Sequence, residues 1–310
     1  MITTVCLNPC IDKTVSVSAL IPGGLNRIRS ARIDAGGKGV NVAVTLSRLG
    51  LETRCALFLP EVGSAPLTDR LRAEGVAVGA VAVPGALRTN LKVFDESESR
   101  ITELNESGAP VTDAALEDMM RVIEGCARSG SELVVLSGSL PPACPADYYR
   151  TVIERMNRLN VRCALDADGL RLRAGLEARP FLVKPNRDEL EELTGEPLRT
   201  INDIARAARG LVERGVGIAA VSLGAQGALI ADERDVYCAP RLEIPVRSTV
   251  GAGDAMCAGL CAGIARGDSL EEIFRLGMAC AGAAVMSEGT RPIERAECER
   301  LLTRVEIRRL

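Results

Sequence analysis

Between Thr112 and Ser222 the chain repeats one local rhythm, and that rhythm constrains its fold more than any other feature. Amphipathic stretches at about 112–128 and 146–159 lead into the apolar runs 133–136 and 162–165. Runs at 181–183 and 218–222 continue the series, with helical stretches opening at Arg187 and at about 201–214 between them. The apolar runs have strand length, and the longer segments have the apolar spacing of helices. Repeated strand–loop–helix units build a mostly parallel sheet covered by helices. The amino-terminal third fits the same scheme. Residues 2–7 read as a buried strand, 40–49 as a buried helix stopped by Gly50, and 54–59 and 76–83 as strands flanking a helix at 67–73. An α/β fold forming a single domain over 1–310 is expected.

Two segments stand apart from the rhythm. Short alternating stretches at about 13–34 surround the turn Pro22-Gly23-Gly24, and 88–94 with 100–104 flank the acidic turn Asp95-Glu96-Ser97-Glu98. The second pair reads as a hairpin. Together the segments at about 13–34 and 87–106 are expected to form a small β-sheet acting as a lid. In open parallel sheets ligands collect beyond the carboxyl ends of the strands. Asn8, Ser137, Asp166, Lys184 and Ser222 all fall at such ends, which gathers separated polar signals on one rim.

Composition removes several chemistries. The chain of 310 residues contains no histidine, so Ser-His-Asp and Cys-His nucleophile systems and His-containing zinc sites are excluded. Proton transfer must use a carboxylate, Lys, Tyr, Cys or water. The 38 basic and 41 acidic residues are interspersed, and with no Trp, three Tyr and four Phe there is little to stack on bases. No nucleic-acid partner is expected. The eleven cysteines form no CxxC pair and sit mostly in apolar runs, as buried reduced thiols do. No signal-length or membrane-spanning apolar segment is found, so no membrane partner and a cytoplasmic location are expected.

The glycine loops carry the candidate chemistry. In Ser248-Thr249-Val250-Gly251-Ala252-Gly253-Asp254, small residues and then a carboxylate open an apolar helix. No Lys-Ser/Thr pair follows, so this is not a Walker A loop, and a full GxGxxG is absent. What remains is a helix amino terminus suited to an anion. Asp254 there is either a first-turn carboxylate that stabilises the helix or a base toward an incoming hydroxyl, a role that explains a negative charge beside a bound phosphate. Ala35-Gly36-Gly37-Lys38-Gly39 opens another helix, with Lys38 either solvated or neutralising a phosphate and Asn41 directed at a polar ligand. Lys184-Pro185-Asn186-Arg187-Asp188-Glu189 fits a capping box, which is compatible with Lys184 and Glu189 bordering phosphates and a metal. Ser222-Leu223-Gly224-Ala225-Gln226-Gly227 is a turn that also suits ligand contact.

Taken in order, NPCID at 8–12, AGGKGVN at 35–41, RTNLK at 88–92, SGSLP at 137–141, VKPNRDEL at 183–190, SLGAQGA at 222–228 and STVGAGDAMCAG at 248–259 resemble the ribokinase-like carbohydrate kinases. They are most similar to the PfkB-type sugar-phosphate branch. The resemblance implies a three-layer ribokinase-like fold with a mostly parallel central sheet and a small β-sheet lid, often the site of a homodimer. It implies ATP and Mg2+, with phosphoryl transfer to a ketohexose phosphate. The favoured acceptor is D-fructose 1-phosphate, with tagatose 6-phosphate as alternative, fructose 6-phosphate behind it, and a noncatalytic sugar-phosphate sensor as a reading of a different class. Matched motif by motif, Asp254 corresponds to the catalytic base, and Gly251, Ala252 and Gly253 to the anion hole. Asp12, Gly36, Gly37, Lys38 and Asn41 correspond to the sugar-phosphate side. Arg88 matches a phosphate-binding lid arginine, Arg27 a second cation, and Ser137 and Ser139 border the sugar. Lys184, Asn186 and Gly253 border the nucleotide phosphates, Glu189 with Asn186 the magnesium, and Ser222, Gly224 and Gly227 the nucleotide. Cys10, where the branch usually carries Ala or Ser, and Ala255, where Ser is common, are departures that leave every charged group in place.

Overall fold

The computed structural model describes residues 1–287, 289 and 291–310. Ten strands form one sheet in the spatial order Arg308–Arg309, Val236–Ala239, Ala228–Ala231, Ile218–Ser222, Leu182–Val183, Arg162–Asp166, Leu133–Ser137, Ile2–Cys6, Thr53–Val62 and Ala77–Ala86. The seven from Ile218–Ser222 to Ala77–Ala86 run parallel, and the remaining three join antiparallel. The order reverses between Ile2–Cys6 and Leu133–Ser137, since the chain builds outward in both directions from that pair. A crevice opens at such a reversal, beyond the carboxyl ends of the strands.

Strand side chains alternate between two cores. Val134 and Leu136 pack into one with Met119, Tyr149 and Ile153, whereas Leu133 and Val135 pack into the other with Leu46, Leu260 and Phe274. A sheet covered on both faces needs apolar residues at every strand position, which is why these runs read as continuous. Helix Ala252–Arg266 is buried at every position from Asp254 to Ile264, because it lies among the sheet and helices Lys38–Arg48 and Leu270–Val285. Its small residues show little amphipathicity for that reason.

The second sheet has four strands in the order Ser30–Gly36, Cys10–Val17, Arg88–Asp95 and Arg100–Asn105. Paired residues place Asp12, Asn90 and Asn105 on one face and Lys13, Leu91, Ile33 and Leu104 on the other. The polar face meets the crevice. The apolar face has a small core of Val15, Val17 and Val93.

Two elements escaped the sequence reading. Helix Gly169–Glu177 contains Leu170-Arg171-Leu172-Arg173, whose two-residue alternation masks a helical face of Leu172 and Leu176. The edge strand Arg308–Arg309 has no apolar signal. No helix is long and apolar enough to cross a membrane among the described residues, and all eleven cysteines are free.

Candidate active site

The crevice is a cleft of about 520 Å³ between the rim of the large sheet and the polar face of the small one. Asp254 lies in the first turn of its helix, 7% exposed, and accepts a hydrogen bond at Oδ2 from Asn41 Nδ2 at 2.9 Å. Gly251 caps that helix with φ 81°, a left-handed conformation that a side chain would strain. The capping turn supplies no side chain to the helix end, which leaves the amides of Gly253 and Asp254 without a capping side chain. Burial pushes the Asp254 pKa from 3.8 to about 6, against the pull of Lys38, and Asp166 adds to the rise. A carboxyl so placed exchanges a proton close to neutral pH, as a general base must.

Asp166, buried at the end of its strand, gathers the charges of this wall. It receives Lys184 Nζ at 3.3 Å, Lys38 Nζ at 3.7 Å and the Ser137 hydroxyl at 3.5 Å. Burial opposes its ionisation, yet Lys184 and Lys38 hold its pKa below the ordinary value. Burial likewise opposes the charge on Lys184, and Asp166 together with Cys257 and Glu189 offsets it, so that pKa is raised. Asp166 first, then Asp254, raises the pKa of Lys38. Lys38 follows Gly37, whose φ of 119° and whose Cβ position, 2.8 Å from Cys6 Sγ, admit only glycine. The loop therefore passes against the strand Ile2–Cys6 and delivers Lys38 to the rim.

The opposite wall carries Asp12, 6% exposed, with Lys92 Nζ and Asn90 Nδ2 each 3.3 Å from its Oδ1. Asp166 with Lys184 and Lys38 on one wall and Asp12 with Lys92 on the other thus line one cleft with a poised carboxyl at a helix amino terminus. The arrangement suits transfer of an anionic group onto a hydroxyl of an anionic acceptor.

The pfkB family carbohydrate kinase model matches residues 5–296. This chain belongs to that family. The 1-phosphofructokinase of Rhodobacter capsulatus is 37% identical over 278 residues, 90% of this chain and 88% of its own length. That of Bacillus subtilis is 34% identical over 316 residues, with both chains covered throughout. Among solved structures, phosphofructokinase-2 from Escherichia coli in complex with potassium has a TM-score of 0.90 and 29% identity, over 97% of this chain and 98% of its own. The ribokinase-like architecture expected from the motifs is the one observed.

Most residues expected from the sequence converge in this pfkB kinase. Asp12, Gly37, Lys38, Asn41, Arg88, Ser137, Ser139, Lys184, Asn186, Glu189, Ser222, Gly251, Gly253 and Asp254 line the cleft, and Gly36 stands beside Asn41. Ala252 does not line it, and its amide donates to the Thr249 carbonyl at 3.4 Å. Gly224 and Gly227 form the turn before strand Ala228–Ala231. There a Cβ on Gly227 would collide with the Ala239 carbonyl, so the turn itself demands glycine. Arg27 is exposed on the connection between two small-sheet strands and does not line the cleft. Arg88 Nε and Nη2 donate to the Asn8 carbonyl at 3.2 and 2.9 Å, and Nη1 donates to the Glu106 carbonyl at 2.9 Å. It therefore fastens the small sheet to the large one. Lys38, expected against the sugar phosphate, has its Nζ 3.7 Å from Asp166 and also feels the charge of Asp254.

The pfkB cleft also contains residues to which the sequence reading gave no role. Asp166 was a rim position without a partner. Lys92 and Asn90 lay inside the RTNLK motif unassigned, and only the strand alternation that puts them on the face of Arg88 could have found them. Asn8 Nδ2 donates to the Ser107 carbonyl at 3.0 Å and to Ser139 Oγ at 3.2 Å, linking both sheets.

Proposed function

We infer that this chain is a 1-phosphofructokinase, transferring the γ-phosphoryl group of ATP to D-fructose 1-phosphate to give D-fructose 1,6-bisphosphate and ADP. The observation that carries this reading is Asp254, buried with a raised pKa at a helix amino terminus inside a cleft whose walls hold Lys38, Lys184, Arg88 and Lys92. The two 1-phosphofructokinases compared above support the choice of acceptor.

In this reading Asp254 takes the proton of the acceptor hydroxyl as that oxygen attacks phosphorus. The amides of Gly251 and Gly253 meet charge developing on the moving group, and Lys184 sits beside them, 3.5 Å from where a Cβ on Gly253 would be. Asp12 receives sugar hydroxyls, with Arg88 and Lys92 supplying positive charge for the acceptor phosphate. Ser222, with the turn behind it, borders the nucleotide. The small sheet serves as a lid that excludes water.

Glu189 Oε2 accepts from the Asn186 amide at 2.8 Å, so that carboxylate is fixed at the cleft wall with its second oxygen uncommitted to the capping box. Among the described residues no group of three or more acidic, Cys or His side chains could cage a metal. One fixed carboxylate and one amide oxygen fit Mg2+ that arrives with nucleotide phosphates. Glu189 and Asn186 would hold it, and bound there it would neutralise phosphate charge. A homodimer through the lid is favoured by Ile33 and Leu104, 64% and 59% exposed on the apolar face. A cytoplasmic location is favoured by the free thiols.

The deciding experiment measures ADP release with Mg-ATP and each of fructose 1-phosphate, tagatose 6-phosphate and fructose 6-phosphate. We expect kcat/KM for fructose 1-phosphate to exceed the others at least about tenfold, or about 1.4 kcal/mol of transition-state binding. A preference for either 6-phosphate overturns the acceptor, and no turnover with any overturns the enzyme.

A further inference from the structure

Asn41 is held from both ends. Its Nδ2 donates to Asp254 Oδ2 at 2.9 Å, while its Oδ1 accepts from Arg70 Nη1 at 3.2 Å. A carboxamide has nearly the same shape turned over but opposite polarity at its two ends. Turned over, it would press its carbonyl oxygen against the carboxylate. A guanidinium carries donors only, so beside Arg70 only one orientation of Asn41 is satisfied. Arg70 comes from helix Ala65–Ala73, outside every cleft motif. It also donates to the Ala35 carbonyl, which anchors it to the turn that opens helix Lys38–Arg48. Gly36 leaves it room, since a Cβ there would stand 3.3 Å from Asn41 Oδ1 and 3.4 Å from Arg70 Nη1.

We propose that Arg70 is a positioning residue for phosphoryl transfer, which fixes the Asn41 amide so that Nδ2 always donates to Asp254 and leaves the other carboxylate oxygen for the acceptor proton. This rests on the reading of Asp254 as the base. The other charged groups that act on Asp254 are Lys38 on helix Lys38–Arg48, Asp166 at its strand end and Lys184 beside it. Those facing Arg70 are Asp34, Glu74, Asp12 and Arg32.

Two readouts test the proposal: the pH dependence of kcat/KM, and titration of the Asp254 carboxyl by carbon-13 NMR, identified by difference from Asp254→Asn. Arg70→Met moves both to higher pH and lowers kcat/KM on the acid side about threefold to tenfold. Arg70→Lys, which keeps a charged donor, restores most of the loss. Asn41→Leu alone produces the upward shift, and in that background Arg70→Met adds nothing, as coupling through one amide requires. An unchanged titration in Arg70→Met, or in Asn41→Leu should Arg70→Met not fold, overturns the proposal. So does a full further shift of Arg70→Met in the Asn41→Leu background, which would mark a field effect of the lost charge. The NMR titration needs no turnover, so a failure of the kinase reading is distinguishable from a failure of the Arg70 link.

Discussion

The two walls of the cleft contain the same local pair with different support. Lys184 lies 3.3 Å from Asp166 and Lys92 lies 3.3 Å from Asp12, and both lysines are buried, at 5% and 8% exposure. Behind the first pair stands a sheet covered on both faces by helices, and Asp166 has Lys38 and Ser137 besides. Behind the second stands one sheet layer whose far side carries the small core of Val15, Val17 and Val93 with Lys13, Leu91 and the exposed Ile33 and Leu104. An ion pair taken out of water depends on its surroundings to hold its geometry. The large-sheet wall is therefore built to keep its charges fixed, whereas the small-sheet wall has less packed structure behind it to do so.

The largest effect expected is on the large-sheet wall. Asp254→Asn should lower kcat about a hundredfold to ten-thousandfold with little change in nucleotide binding, as read by ADP release and calorimetry; activity within tenfold of wild type would remove Asp254 as the base. Next comes the pair comparison. Lys184→Met leaves a buried carboxylate short of its nearer cation and should cost about 3 kcal/mol or more in urea unfolding. Lys92→Met should cost less and instead raise KM for the sugar phosphate about tenfold or more. Equal losses of stability would show the walls to be equally rigid.

A pH experiment sharpens the same contrast. Because the folded-state pKa of Asp254 is raised from 3.8 to about 6, its contribution to stability is fully present below the lower value and is lost as pH rises through the upper one. Asp254→Asn, which stays neutral, should therefore be more stable than wild type at about pH 8, by on the order of 3 kcal/mol, and not at about pH 4. For catalysis the sign reverses, and kcat/KM should rise with pH through about 6 as the base ionises. The smallest effect belongs to the outer face. Ile33→Asp with Leu104→Asp should shift the sedimenting species from dimer to monomer and leave urea unfolding of the large-sheet body within about 1 kcal/mol. A monomeric wild type would end that reading.

Much of this site is legible in the chain itself. Asp254, Lys184, Asn186, Glu189 and Ser137 each sit at a strand end or in a first helical turn, where local pattern announces the position. The turn glycines Gly224 and Gly227 show the limit, because their motif signals backbone geometry as readily as contact.

The sequence alone determined the parallel body, the rim that gathers polar residues and the carboxylate at the helix mouth, since periodicity and turn chemistry are local properties of the backbone. Only the tertiary structure decided that Lys92 faces Asp12, that Asp166 joins Lys38 to Lys184, and that Arg70 reaches Asp254 through Asn41. Those partners come from segments as far apart as 213 residues. Their meeting depends on sheet register and helix packing, which no local stretch of sequence encodes.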